Sequence, residues 1–367
     1  MRTSRTLAIS LALSACLSNC GNSSKSSLQL PAGAATATGY TLSVFIKAPL
    51  TTEKPDSIIQ VGTALFIGYQ NAGDVKDGSV PGLMNEVVQY DLTTNPPKLL
   101  NTFNVPGHVD GLMAKSNTEI WAMANEDGNP ELTIINLTTG TQKTYQATVN
   151  PPLHGGGFDD MQLINDVVYV SASNPSNPGT APPTVVSLTL NANGTTFDVA
   201  PVLNGGAMAV DITPSVGGSP NPTFNTMVPL ILTDPDSEAT DSSGNLVLDS
   251  QADGKLVFIK NPGPAQSVSL LTLTLFNDKD GPVTPVDDTR FVPAAPGPKG
   301  MLYMLFTDAS NTTYRVDAPF MAGDAYSCGQ GQVMRLDIKS GHLTPVVVSL
   351  GNAAALQDPH GMVFITM

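Results

Sequence analysis

Acidic residues and histidines recur just ahead of apolar runs in this chain, and that is where chemistry could gather. The set is Asp56; His108 and Asp110; Asp159 and Asp160, with His154 upstream; Asp236 and Glu238; Asp287 and Asp288; and Asp358 and His360. Three of the chain's four histidines belong to it. Crowded carboxylates repel one another unless a cation or shared protons relieve them, so acids that converge imply a partner. Carboxylates with carbonyls suit Ca²⁺, whereas carboxylates with imidazole suit Zn²⁺, Mn²⁺ or iron. A plainer role is open to the same residues. Asp ahead of a strand is an ordinary turn former whose side chain takes nearby backbone N–H groups, and a histidine there can tie neighbouring elements together. The candidate ligands are His108, Asp110, His154, Asp160, Asp236, Glu238, Asp288 and His360; no residue is assigned a catalytic role.

The elements that must position these residues repeat. An apolar segment, a short polar turn and a second apolar run occur five times, the second runs being residues 64–69, 119–123, 167–171, 245–249 and 301–306. Such a period means stacked or radial units. Alternating apolar residues with Gly, Asn, Asp and Pro between the runs predict four strands per unit. The first unit takes 57–61, 64–69, 86–92 and 98–105; the second takes 110–114, 119–124, 131–137 and 142–147. The third starts near Phe158 and uses 167–173 and 184–190. It then carries a long insertion to about Pro222 and closes with 224–232. The fourth has 245–251, 255–259 and 268–276. The fifth has 288–292, 301–307 and 313–316, an interruption over 319–331, and then 332–337 and 343–350. Residues 358–365 read as an innermost strand without its unit, and 41–46 as a spare outer strand. Together they predict a ring closed by strands from both ends, which protects sheet edges. The expectation is an all-β β-propeller of four-stranded blades, six in number, with five and seven as alternatives. Residues that open the innermost strands of such a ring converge on its axis.

Residues 1–20 read as an export signal. Arg2 and Arg5 precede an apolar stretch, 7–15, too short to span a bilayer. Leu13, Ser14, Ala15 and Cys16 resemble a bacterial lipobox, which makes Cys16 the lipid attachment; an ordinary secretory signal is the alternative. Cys20 is a poorer second candidate. Residues 21–38, rich in Ser, Gly, Ala and Thr, read as a flexible tether, and 39–367 as one domain. An exported protein follows, periplasmic or on the outer surface, lipid-anchored to a bacterial membrane and monomeric. The net charge of −14, with few scattered basic residues, excludes nucleic acid as a partner. Charged residues are only 13%, beside 33 Gly and 30 Pro, which suits short strands and many loops rather than amphipathic helices. Three cysteines make no disulfide framework; a Cys20–Cys328 bridge and two unpaired thiols are both open.

Residues 234–249 (DPDSEATDSSGNLVLD) resemble a phrase of NHL-type and SMP-30/gluconolactonase-type propellers. Residues 333–341 and 133–140 resemble the strand, Asp or Asn, Thr/Ser-Gly phrase of many bacterial propellers. The resemblance spans about residues 40 to 367. It implies a metal held by a Glu, an Asn and an Asp at the mouth of the axial channel, with Glu238 matching the Glu; Ala239 stands where a glycine normally follows. Other motifs stay structural. Residues 125–129 and 278–281 look like calcium loops but lack the distal glutamate and flanking helices, and read as surface turns. Residues 155–157 are a flexible connection, no Gly-x-Ser-x-Gly elbow occurs, and no histidine can be assigned to Cys328. Trp121 and Tyr169 read as core. The functional expectation is a non-catalytic, lipid-anchored envelope propeller that binds or scaffolds a small molecule or envelope protein, with a divalent cation (Ca²⁺, Mn²⁺ or Zn²⁺) possible at the axis. The alternative is a metal-dependent envelope hydrolase, lactonase or lyase.

Overall fold

In the computed structural model, the apolar runs pair as antiparallel strands. The structure describes residues 31, 33–49, 52–71, 76, 78–179, 182–275, 283–294, 300–350 and 356–367, and no helix occurs among them. Strands Pro55–Val61, Ala64–Tyr69, Met84–Asp91 and Lys98–Pro106 make the first blade, from the axis outward. Val109–Ser116, Glu119–Ala124, Glu131–Asn136 and Gln142–Ala147 make the second. Met161–Ile164, Val167–Ser171, Pro183–Leu190 and Thr196–Asn204 make the third. Pro235–Thr240, Leu246–Ser250, Lys255–Lys260 and Ser267–Thr272 make the fourth. Asp288–Phe291, Ala325–Gly329, Gln332–Asp337 and His342–Ser349 make the fifth. The sixth joins Pro359–Thr366, Leu302–Asp308 and Thr312–Asp317 to the N-terminal Thr41–Lys47. The innermost strands neighbour one another in a closed circuit, so the fold is an all-β propeller closed by strands from both ends of the chain.

Second strands are apolar on both faces because each is sandwiched between two blades. Leu65, Phe66 and Ile67 are fully buried. Phe66 packs with Val109, Leu112 and Ile120 of the second blade, while Leu65 and Ile67 pack with Tyr303, Leu305 and Ile365 of the sixth.

Three expectations are corrected. First, 301–307 and 313–316 do not belong to the fifth unit. The chain leaves the fifth blade after Asp288–Phe291, builds two strands of the sixth, and returns at Ala325–Gly329, inside the stretch expected to be an interruption. An apolar run records that it is a middle strand, not which neighbour it pairs with. Cys328 accordingly lies in a strand, fully buried, not in a loop. Second, the third blade closes with Thr196–Asn204, whose burial is mostly outward and whose apolar pattern is weak. Met208–Asp211 and Met227–Pro229, read as part of the third unit, extend the fourth blade instead. Third, Ala34–Thr36, within the expected tether, pairs with His342–Ser349; Ala34 and Ala35 are small enough to be buried there. Cys16, Cys20 and residues 278–281 lie outside the described residues. Among the described residues no helix is long and apolar enough to cross a membrane.

Candidate axial cation site

Two residues open each innermost strand at equivalent places: Asp56-Ser57, Asp110-Gly111, Asp159-Asp160, Asp236-Ser237, Asp287-Asp288 and His360-Gly361. The first member of every pair borders a cavity of about 320 Å³ on the axis. The second members tie the ring together, in two alternating ways. In the first, third and fifth blades the second side chain accepts a backbone N–H from the next blade. Ser57 Oγ takes Leu112 N at 2.9 Å, Asp160 Oδ2 takes Glu238 N at 3.1 Å, and Asp288 Oδ2 takes Met362 N at 2.6 Å. In the second, fourth and sixth blades the second residue is small and meets the next blade's carbonyl. A Cβ on Gly111 would lie 2.3 Å from Asp159 O, and one on Gly361 2.6 Å from Asp56 O; Ser237 Oγ donates to Asp287 O. Asp160 and Asp288 thus act as ring ties through Oδ2 while still bordering the same cavity.

The first members fall into two groups. On one side, His360 Nδ1 is 2.9 Å from Asp287 Oδ2 and 3.8 Å from Asp56 Oδ1, and His360 Nε2 is 4.0 Å from Asp358 Oδ2. Burial would lower the imidazole pKa, but the Asp287 charge and hydrogen bond, with Asp56 and Asp358, push it up to about 10. His360 is thus an imidazolium that neutralises its acidic neighbours. Gln251 Nε2 also donates to Asp287, at 2.6 Å. Gln70 Nε2 bridges Asp56 (3.0 Å) and Asp110 (2.8 Å), and Glu126 N donates to Asp110 Oδ2 at 3.0 Å, so Asp110 is held by the protein itself.

On the other side stand Glu126, Asp159 and Asp236, which can each offer an oxygen with all three oxygens within 4.8 Å of one another. Burial pushes the Asp159 and Asp236 carboxyls well above the usual carboxylate range, and the charge of Asp159 adds to the effect on Asp236. Asp236 Oδ2 is buried and receives no donor among the described residues, and the Asp159 and Asp236 carboxyls can hydrogen-bond to each other only by sharing a proton. Such a group holds either a shared proton or a cation.

Beneath the acids, Arg290 crosses the axis. Its Nη2 is 3.1 Å from Asp160 Oδ2 and its Nε 3.2 Å from Asp288 Oδ2; Nε also donates to Met362 O at 3.1 Å and Nη1 to Glu238 O. Burial lifts the Asp288 pKa to about 7, with Arg290 opposing. Glu238 does not border the cavity. It is fully buried, both carboxyl oxygens lack a partner among the described residues, and burial keeps its pKa well above the usual range. Its candidate place at the axial metal is therefore corrected: the strand is irregular between Pro235 and Glu238, and its carboxyl lies near Tyr169, whose phenol pKa is raised by burial first and by Glu238 second.

Two of the three candidate histidines also leave the axis. His108, 2% exposed, donates its backbone N–H to Asn125 Oδ1 (3.1 Å) and does not border the cavity. His154 Nε2 bonds Gly157 O at 2.7 Å and its ring sits 5.3 Å from that of Phe158; burial lowers its pKa. Both precede the converging pairs by two residues or more.

Glu126, Gln70, Gln251 and Arg290 are the site residues the sequence reading misses. A usable signal exists for three of them. Gln70 and Gln251 directly follow second strands, and Glu126 comes two residues after one. Residues 125–129 are not a simple surface turn. Asn125 is buried, its Oδ1 takes the N–H groups of Gly78 and His108, both at 3.1 Å, and Glu126 enters the cavity.

No protein-family model matches the chain, and no curated protein does. Among solved structures it is similar to virginiamycin B lyase from Staphylococcus aureus, at 13% identity and a TM-score of 0.47, covering 89% of this chain and 96% of that one. It is similar to a putative gluconolactonase at 10% identity and a TM-score of 0.45, covering 86% and 83%. It is also similar to nidogen in its laminin complex, at 8% identity and a TM-score of 0.47, covering 89% and 98%.

Proposed function

We propose that the axial cavity binds one divalent cation through Glu126, Asp159 and Asp236, and that the protein is a binding propeller whose small polar ligand meets this cation. The observation that carries the reading is the buried Asp236 Oδ2, which receives no donor among the described residues and lies within reach of two further carboxylates. The donors are all oxygens, which suits Ca²⁺ or Mn²⁺ better than Zn²⁺. The His360 group is the weaker cation site, because its own imidazolium already supplies the positive charge that Asp56 and Asp287 need. A bound cation would replace the protons on Asp159 and Asp236 and draw ligand oxygens into the cavity.

A second reading, a cation-dependent hydrolase or lyase, is favoured by one observation: His360, paired with Asp287, borders the same cavity and could deliver a proton to a ligand there. Export with lipid attachment at Cys16 completes the proposal and rests on the N-terminal sequence alone.

The test is thermal. Ca²⁺ or Mn²⁺ at a hundredfold excess over Kd should stabilise the protein by about 2.7 kcal/mol, and Asp236→Asn should abolish the effect. An unmoved melting temperature with both ions ends the cation reading. For the anchor, Cys16→Ser should release the protein from the membrane fraction, and continued retention there contradicts it.

A further inference from the structure

Past Arg290 the axial channel opens again into a different environment. This second cavity, of about 630 Å³, is bordered by the later residues of the innermost strands of every blade but the fourth. Its size lies within the roughly 300–1,000 Å³ of small-molecule sites. Where the first cavity is walled by acids, here Ile59, Ala114, Leu163, Phe291 and Val363 point apolar surface inward, and each is only half-buried. These side chains come from separate blades and share one hollow, so an apolar body could cover them together.

The polar groups in the wall are mostly spent. Gln60 bonds Gly62 O at 2.7 Å, and Thr366 O and N at 3.0 and 2.9 Å; Gln162 Nε2 bonds Glu238 O at 2.9 Å. Arg290 is the exception and, among the described residues, the one charged residue of this wall. A guanidinium has five N–H groups. The bonds of Arg290 use Nε–H and one N–H on each terminal nitrogen, which leaves one on each without a partner among the described residues. Its charge, by contrast, is already met by Asp160 and Asp288. An added anion would face those two carboxylates, whereas a neutral oxygen acceptor would meet unused donors without added repulsion.

We propose that this cavity is a second ligand site, taking a small neutral molecule with an apolar body and one carbonyl-type oxygen directed at Arg290. The site does not depend on the cation reading.

The experiment titrates the full-length protein with 2-nonanone and, in parallel, with nonanoate, followed by calorimetry and saturation-transfer NMR. The ketone should bind saturably at one site, and nonanoate should bind at least about tenfold more weakly, the scale of one unfavourable charge contact. Leu163→Glu and Ile59→Glu, at half-buried positions, should each abolish ketone binding while the melting temperature is retained; Val363→Glu replaces either if it does not fold. Asp236→Asn should leave ketone binding unchanged, which separates this site from the acidic one. Absent ketone binding, nonanoate binding as tight as the ketone, or binding that survives the glutamate substitutions would overturn the proposal.

Discussion

At the scale of single residues, the axis separates carboxylates by what their oxygens already hold. Asp110 and Asp160 are satisfied by protein donors, whereas Asp159 and Asp236 are left with each other and with Glu126. Because folding raises the pKa of Asp159 and Asp236, the cation-free protein binds more protons than the unfolded chain above the usual carboxylate value of 3.8. Its stability should therefore fall as pH rises through that region, and cation affinity should rise over the same range as the competing protons leave. Calorimetric titration with Ca²⁺ across a pH series checks this; a pH-independent affinity contradicts it. Asp236→Asn should stabilise the cation-free protein, because it removes a carboxyl that burial and the Asp159 charge hold against ionisation, as read from urea unfolding; an unchanged or lower stability contradicts this. His360 has the opposite sign. Its folded pKa is raised from 6.5 to about 10, so its stabilising contribution is complete below about 6.5 and lost as pH climbs through about 10. The stability gap between wild type and His360→Gln should narrow over that window, as read from urea unfolding. The positions of the acids were legible from the sequence. Which member of an Asp-Asp pair faces the axis was not, because one residue of register reverses the side of a strand.

At the scale of elements, the ring is held by the second member of each opening pair. Three polar side chains reach forward to backbone N–H groups, and three small residues let the next strand come close. Gly111→Ala would press a methyl against the Asp159 carbonyl and should cost about 1–3 kcal/mol. Thermal unfolding of this variant checks the claim, and an unchanged melting temperature would mean the inner strands yield more easily than the geometry allows. The second strands of five blades were visible as apolar runs because both their faces are buried, whereas that of the fifth, Ala325–Gly329, fell in the stretch read as an interruption. The exchange of strands between the fifth and sixth blades was not, since residues 301–306 carry the same apolar signal whichever sheet receives them. The strand Thr196–Asn204 was missed for the converse reason: its outward face leaves little apolar pattern to read.

At the scale of the whole molecule, closure brings residues from Asp56 to His360 around one axis and gives the channel two unlike ends. Acids and one imidazolium line one end; half-buried apolar side chains line the other, with Arg290 between. Closure was foreseeable because an inner strand at one end of the chain and an outer strand at the other each lacked a unit. Removing residues 359–367 should leave Leu302–Asp308 without its inner partner and take His360 away. The truncated chain is expected to aggregate or to lose cooperative unfolding by circular dichroism; a folded, monomeric product would contradict the role given to closure. Anomalous diffraction from crystals soaked in Mn²⁺ would locate a cation held among Glu126, Asp159 and Asp236. One anomalous peak is expected within bonding distance of oxygens from all three residues, and none in Asp236→Asn. A peak confined to His360 and Asp287, or no axial peak at saturating Mn²⁺, would contradict it.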